Sequence, residues 1–451
     1  MENINNEFTT QWWDTFLDTS KNLTKPTSIK NAFSGQTSTQ LLEKTLTIFK
    51  SFDERAMFRV WVNDKQRDDL NKTLMNNPPQ KNDTLESWTN RIFGKQKFGI
   101  IFNESESWNK ELNIDIYKKV KPLLEKAGYP MMGMDLTIFI GNYGWTPLGI
   151  HIDYLGESVM HFHLGPTKKE MYLWDKKLYL NDLKGNLGEK RPEFFLDKAT
   201  KFTINQGDIF YMPWGMPHIG KSDELSVGVS VWFNKPTKQK LISKITDNLN
   251  LEFINEKKTF FKEHDSFITN SEKIKTIDYQ KNPLTNIFSE LTNEFKKKDF
   301  LKETSFLELF KMATLDYQHS LKSSLNFSSP LFSSKEKKSP KIYNESLISM
   351  DNPYKIEWYH SDISSKLHLF IKGQKLMFNY SKDIIELVTR INQSKTCSVS
   401  ELLQDLFIDF PKEVPLRIIE LLYENDGISI KNIKRKKVRT PQLNNALITS
   451  K

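Results

Sequence analysis

The sequence predicts an α+β protein: a barrel of short strands first, a helical segment next, and a small module of a hairpin, three helices and a strand last. Three observations predict this. Fifteen of the 18 glycines lie between Gly94 and Gly228, and none occurs from 229 to 372. Turns that need positive φ therefore cluster in the first part of the chain, among short apolar runs. The glycine-poor stretch has helical spacing instead, at Leu241, Ile242, Ile245 and Leu249, and again over 287–295 and 306–321. Finally, a hairpin pattern around Lys372-Gly373-Gln374-Lys375 precedes three helical runs and a short strand at 428–430.

The elements before the barrel follow in order. Residues 1–20, with Trp12, Trp13 and Phe16, read as an amphipathic helix. Leu41 to Phe49 and Phe52 to Val62 alternate enough to be strands flanking the core sheet. Asn63 to Glu86 is polar, with a loop at Asn76-Asn77-Pro78-Pro79. Ser87 to Phe93 reads as a helix and Phe98 to Phe102 as a strand. Leu112 to Ala127 puts Ile114, Tyr117, Val120, Leu123 and Leu124 on one helical face, and Pro122 should kink or split it. Gly128-Tyr129-Pro130 ends it.

Met134 to Phe233 carries the chemistry. His151 and Asp153 lie two apart on a predicted strand, 149–153, so both side chains take one face. His218 follows 67 residues later. Two imidazoles and a carboxylate on one face make the triad that suits a non-heme Fe(II) oxygenase and leaves three metal positions open. Gly207 to His218 supports the convergence: a Gly-Asp turn feeds a short strand, and prolines and glycine then bend the chain. The apolar strand Leu225 to Phe233 can close a barrel wall. Lys168 and Lys169 precede the strand 171–174, where an inward cation would hold the far carboxylate of a dicarboxylate ligand. The competing reading makes all of these ordinary polar residues of a sugar- or peptide-binding barrel. His161 and His163 alternate on the next strand; they read as interior histidines bonded to neighbours rather than a second metal site, with His163 the stronger site-lining candidate.

The motifs HID at 151–153, GDIFYMPWGMPH at 207–218, SVGVSVWF at 226–233 and KPTSIKNAF at 25–33 together resemble the JmjC type of 2-oxoglutarate- and Fe(II)-dependent oxygenases. Within them, the chain is most similar to the branch that hydroxylates ribosomal proteins. The motifs span about 20–235, and the order of domains after them also matches. The resemblance implies a double-stranded β-helix of the jelly-roll, cupin-like kind. It also implies oxidative decarboxylation of 2-oxoglutarate to succinate and CO2, coupled to hydroxylation of a substrate. Carried over by position, His151, Asp153 and His218 match the iron ligands. Lys169 matches the residue pairing with the C5 carboxylate, with Lys168 the alternative, since a one-residue slip turns a strand side chain to the other face. Relatives often have a threonine where this chain has Leu148; Thr146 is the nearest hydroxyl, and Glu157 stands where some relatives carry asparagine. Tyr143 and Ser230 are candidate secondary donors. In the resembling enzymes a helical middle segment dimerises, which implies a homodimer here.

The expected domains are 1–95 flanking the barrel, 96–235 the catalytic core, 236–321 helical, 322–345 a Ser/Lys/Pro linker, 346–433 a winged-helix-like module and 434–451 a basic tail. The predicted third helix of that module, Pro411 to Glu424, carries Lys412 and Arg417 against Glu413, Glu420 and Glu424. A groove-reading helix needs a cationic excess. The module is therefore expected to pack on the barrel or bind protein, and nucleic acid is expected only at the basic run 431–439. The net charge of +9 and pI near 9.1 permit an acidic partner without requiring one. The single cysteine, Cys397, precludes an internal disulfide and suits a cytoplasmic location. The N-terminus does not read as a signal peptide, and no apolar run approaches the ~20 residues of a membrane span. The expected function is hydroxylation of an amino-acid side chain in a protein or peptide. The rivals are hydroxylation of a peptide natural product or small molecule, a catalytically inactive cupin-like binding protein, and a nucleic-acid-binding regulator.

Overall fold

The computed structural model describes residues 7–253, 304–332 and 340–432. The chain divides into two compact units, one of residues 1–335 with 352–380, the other of 336–351 with 381–451. Among the described residues, no helix is long and apolar enough to cross a membrane.

The first unit is built on an antiparallel sheet of eight strands. Its members are β1 (Thr27–Ile29), β2 (Met57–Val62), β3 (Lys65–Gln66), β4 (Phe98–Asn103), β5 (Met134–Gly141), β7 (Glu157–Pro166), β10 (Ile209–Met212) and β12 (Ser226–Asn234), in the order β1-β10-β7-β12-β5-β4-β2-β3. A second sheet of four strands, β6 (Gly144–Trp145), β11 (His218–Ser222), β8 (Lys169–Leu173) and β9 (Thr200–Ile204), faces it. Val159, Phe210 and Met212 from the large sheet meet Leu173 and Ile204 from the small one. This is the expected jelly-roll-like core, with β2 to β4 extending one edge.

Helices cover the outer face of the large sheet. They are α1 (Thr10–Thr19), α2 (Gly35–Ile48) and α5 (Lys110–Ala127), while α3 (Asn71–Asn76) and α4 (Leu85–Phe93) follow β3. Trp13, Leu41, Ile116 and Val120 pack with Leu136, Ile138, Phe162 and Val229 in one core. The region expected as a strand at Leu41 to Phe49 is therefore α2, begun by a Ser34 hydroxyl that accepts from the Thr37 amide. Its buried positions 38, 41, 45 and 48 follow the helical period, which outweighs the weaker alternation. Of 52–62, only Met57–Val62 is a strand. Pro122 lies within one helix and does not split it. The carbonyl whose bond it removes belongs to exposed Lys118, so water can satisfy it.

The short segment at 25–33 is stapled to the turn before β10. Asp208 accepts from the amides of Asn31 and Asn205 and from the Lys30 ammonium, at 2.9, 2.8 and 2.9 Å.

After the barrel come α6 (Lys238–Phe253) and α7 (Phe306–Ser323), which pack together through Ile245, Leu249, Leu309 and Met312. The helix expected at 287–295 lies outside the described residues. The segment read as the start of a linker is ordered: Leu325 and Phe327 are buried in the barrel core, and Phe327 bridges to Met134. The predicted hairpin also belongs to this first unit, not to the C-terminal module. It consists of β15 (Lys366–Ile371) and β16 (Gln374–Asn379), turned at Lys372-Gly373 and joined by β14 (Glu357–Ser361). What anchors it is Asp316 on α7. Its carboxylate accepts from His368 Nδ1 at 2.8 Å, from Lys375 Nζ at 2.7 Å and from the Tyr359 hydroxyl at 2.6 Å. Buried Ser364 contacts the other ring nitrogen of His368 at 2.9 Å.

The second unit contains β13 (Leu347–Ser349), β17 (Thr396–Ser398) and β18 (Ser429–Lys431) in a sheet ordered β17-β13-β18. Its helices are α8 (Lys382–Gln393), α9 (Val399–Leu403) and α10 (Glu413–Glu424). The residues from 433 onward, including most of the predicted basic run, lie outside the described residues.

The anchor at Asp316 sets a stability expectation. Burial works to raise this carboxyl, but His368, Lys375 and Tyr359 together hold it below its ordinary value. A depressed folded value means that the contribution is full above the ordinary range near pH ~4 and is lost as pH falls through the folded value. Asp316→Ala is expected to cost about 3 kcal/mol at pH 7 by urea denaturation. The gap from wild type should narrow below about pH 4; a gap constant from pH 7 to 3 would contradict the assignment.

Candidate active site

The site forms where the two sheets meet at one mouth of the barrel. His151 and His218 exchange backbone hydrogen bonds of 3.0 and 2.9 Å as an isolated antiparallel bridge. The strand expected over 149–153 shrinks to this bridge, with a neighbouring one from Ile150 to Glu189. Asp153 lies in the loop beyond, its carbonyl accepting from Trp214 Nε1 at 3.2 Å. The convergence survives because His151 and His218 face each other across the bridge, their ring centroids 4.3 Å apart.

His151 Nε2 and His218 Nε2 each lie 3.7 Å from Asp153 Oδ1. One nitrogen or oxygen from each residue lies within 4.8 Å of the others, and this is the one such cluster among the described residues. Each Nδ1 contacts a carbonyl, Gly149 at 2.9 Å for His151 and Met216 at 3.0 Å for His218. A carbonyl only accepts, so each Nδ1 carries the proton and each Nε2 turns a lone pair toward the cluster. Burial lowers the pKa of both imidazoles, that of His218 to about 4, so both are neutral at pH 7. Burial raises the Asp153 carboxyl, opposed by His151, and its Oδ2 is buried with no hydrogen-bond partner. Two lone pairs and the Asp153 Oδ1, 3.7 Å from both nitrogens, fit a divalent cation, and the unpartnered Oδ2 leaves that carboxylate without a competing hydrogen bond.

The alternation on β8 separates the two lysines. Lys169, Met171 and Leu173 face the barrel interior, while Tyr172 packs with Trp174 and Ile219 on the outer side. Lys169 is buried, and its ammonium donates to the Tyr143 hydroxyl at 2.9 Å. It lies 4.7 Å from the centroid of the Phe139 ring and forms no ion pair among the described residues. Lys168 instead points outward, largely exposed, and pairs with Glu170 at 3.0 Å. Burial works to raise the Tyr143 hydroxyl, but the Lys169 charge and the hydrogen bonds with Lys169, Ser222 and Thr146 together hold its pKa below the ordinary value.

The remaining predicted residues make contacts of their own. Thr146 donates from its hydroxyl to the Gly220 carbonyl at 2.9 Å. Ser230 contacts His161 Nδ1 at 2.9 Å. His161 and His163 are both buried and linked at 3.4 Å, and His163 Nε2 contacts the Thr167 carbonyl at 2.6 Å. They form the internal network expected of interior histidines, with His161, rather than His163, against Phe139. Glu157 pairs with Lys240 at 3.0 Å.

Three features escaped the sequence reading. Phe139 supplies the aromatic wall beside Lys169. Gly228 is obligatory, since a Cβ there would lie 2.0 Å from the His161 ring, and one at Gly220 would press on Thr146, Met171 and Lys169. A glycine inside the apolar run SVGVSVWF was the available signal, because glycine within a strand marks close approach. Arg59 on β2 shares the site's face of the sheet and has no counterpart in any motif.

Residues 168–241 match the family model of the JmjC domain. No curated protein matches the sequence. Among solved structures, the chain is similar to YcfD of Escherichia coli at 14% identity and a TM-score of 0.46, over 93% of this chain and 98% of that one. A structure described as YcfD, a ribosomal oxygenase from Escherichia coli, in complex with cobalt and 2-oxoglutarate matches at 14% identity, 93% and 98% coverage and a TM-score of 0.45. Oxalate decarboxylase of Bacillus subtilis matches at 12% identity over 36% of this chain and 33% of that one, with a TM-score of 0.18. The matched stretch contains Lys169 and His218 and supplies much of the small sheet.

Proposed function

We propose that the chain is an Fe(II)- and 2-oxoglutarate-dependent dioxygenase that hydroxylates an amino-acid side chain in a protein or peptide. One observation carries the reading: a two-histidine, one-carboxylate set lies in the same barrel as a buried ammonium that pairs with no carboxylate among the described residues.

His151 Nε2, His218 Nε2 and the Asp153 carboxylate would hold the iron. Fe(II), with 2-oxoglutarate and O2, supplies the oxidising power, one oxygen atom going to succinate as CO2 leaves and the other to a substrate C–H bond. The protein's part is positional. The carbonyls of Gly149 and Met216 fix both imidazole rings in the tautomer that ligates. Lys169 binds the far carboxylate of the co-substrate, and Tyr143 orients the ammonium. Apolar Leu173, Ile204 and Met212 keep water from the inner side of the barrel.

The rim supports a peptide over a small molecule. Tyr154 is 80% exposed, Leu155 47% and Trp214 37%, all beside the ligand residues. Exposed aromatic surface of this kind suits a macromolecular partner. Exposed Phe306, Leu307 and Leu315 on α7 support a homodimer. The second unit reads as a winged-helix-like module that does not bind nucleic acid through α10. Arg417, one of the two cations noted there, is bound within the helix to Glu420 and Glu424 at 3.0 Å each.

His151→Ala and Asp153→Ala should each abolish succinate formation from 2-oxoglutarate; turnover at the wild-type rate would refute the ligand assignment. Lys169→Ala should raise the KM for 2-oxoglutarate about tenfold or more, while Lys168→Ala leaves it near wild type. The reverse ranking would mean that β8 is turned by one residue. Anaerobic addition of Fe(II) and then 2-oxoglutarate should produce a visible charge-transfer band that is absent in His151→Ala. No band with an intact fold would point to another metal or a binding role.

A further inference from the structure

The edge of the large sheet continues the site outward, and it ends on an arginine. Along β2, Phe58, Val60 and Val62 face the helix-packed core. Alternation therefore puts Arg59 and Trp61 on the opposite face. The register carries that face to the metal site. Arg59 pairs with Ile101, Ile101 with Phe139, and Phe139 with Gly228. Residues directly opposite in neighbouring strands share a face. Phe139 is the ring beside Lys169 and against His161. Arg59 thus stands two strands, about 10 Å, outward from the wall of the co-substrate pocket, on the same floor.

Its chemistry is incomplete there. The guanidinium rides over the Trp61 ring, 5.4 Å from the centroid. No carboxylate pairs with it among the described residues, and its Nε is buried with no acceptor. A buried charged donor without an acceptor is costly, and natural structures keep few of them. The fork of a guanidinium matches a planar carboxylate with two parallel hydrogen bonds. The co-substrate's far carboxylate is already answered by Lys169 from inside the barrel, so the acceptor for Arg59 comes from the other ligand.

We propose, on the oxygenase reading above, that Arg59 is the substrate anchor: it binds a carboxylate of the peptide substrate, beside the residue to be hydroxylated, while Trp61 holds the guanidinium flat. The carboxylate is either an acidic side chain or a chain terminus. A net charge of +9 favours such an acidic peptide over a basic one.

The test uses the full chain with Mn(II) and 2-oxoglutarate, and three N-acetylated glycine pentapeptides as probes, the first two also amidated at the C-terminus. One carries a central glutamate, one a central glutamine, and one a central glutamine with a free C-terminal carboxylate. Binding near the metal is read as Mn(II)-induced relaxation of peptide protons. A carboxylate peptide should bind about tenfold or more tightly than the neutral one. Arg59→Gln should abolish that gap, and Arg59→Lys should restore only part of it, with circular dichroism confirming the fold. Whichever carboxylate peptide shows the gap identifies the source. Equal affinity of all three for wild type, or a gap that persists in Arg59→Gln, overturns the proposal. If wild type binds no Mn(II), the metal-site reading fails instead. The same titrations by calorimetry on metal-free protein then decide the anchor by the same criteria.

Discussion

A pair of backbone hydrogen bonds between His151 and His218 holds the functional part of this molecule together. They join the loop after β6 to the start of β11, at the end of the barrel where both sheets run out. Everything else in the site takes its position from that bridge. It brings two imidazoles face to face, and Gly149 and Met216, each two residues before its histidine, offer the carbonyls that orient them. With both rings fixed, Asp153 needs only a short loop to complete the set. A site held by main-chain bonds and flanking carbonyls depends little on side-chain packing, so its geometry is set before any ligand arrives.

Charge inside the barrel follows a simple rule of burial. Desolvation pushes each buried group toward its neutral form. The histidines comply and become good ligands. Lys169 keeps company with a phenol and an aromatic face rather than an acid, and leaves a place for an anion. Arg59 repeats the pattern on the outer floor. The sheet register sets the spacing of these two cations.

The polar anchors elsewhere are satisfied, by contrast. Asp208 saturates itself on amides and Lys30, and Asp316 collects His368, Lys375 and Tyr359. Ser364, His368 and Asp316 line up as a hydrolase triad would, but Ser364 is buried and Asp316 is occupied by two further donors. That arrangement fastens a sheet to a helix.

Much of this was legible from residue order alone, and the reason is locality. Period, capping and turn chemistry act over a few residues, so the strands at 98–102 and 225–233, the helix at 112–127 and the hairpin at 367–378 could be read directly. The triad was legible because its spacing and the bend at 213–218 are local signals that point to the same chemistry. Leu41 to Phe49 was misread because a short apolar run satisfies both periods, and only the sheet it covers decides between them. The choice between Lys168 and Lys169 also waited for the fold: adjacent strand residues are told apart only by which face the partner strands enclose. The order of Ser323 to Phe332 depended on Met134, almost two hundred residues away. Arg59, Phe139 and Gly228 gained meaning only from cross-strand register. Register is a property of paired strands, and no single stretch of sequence contains it.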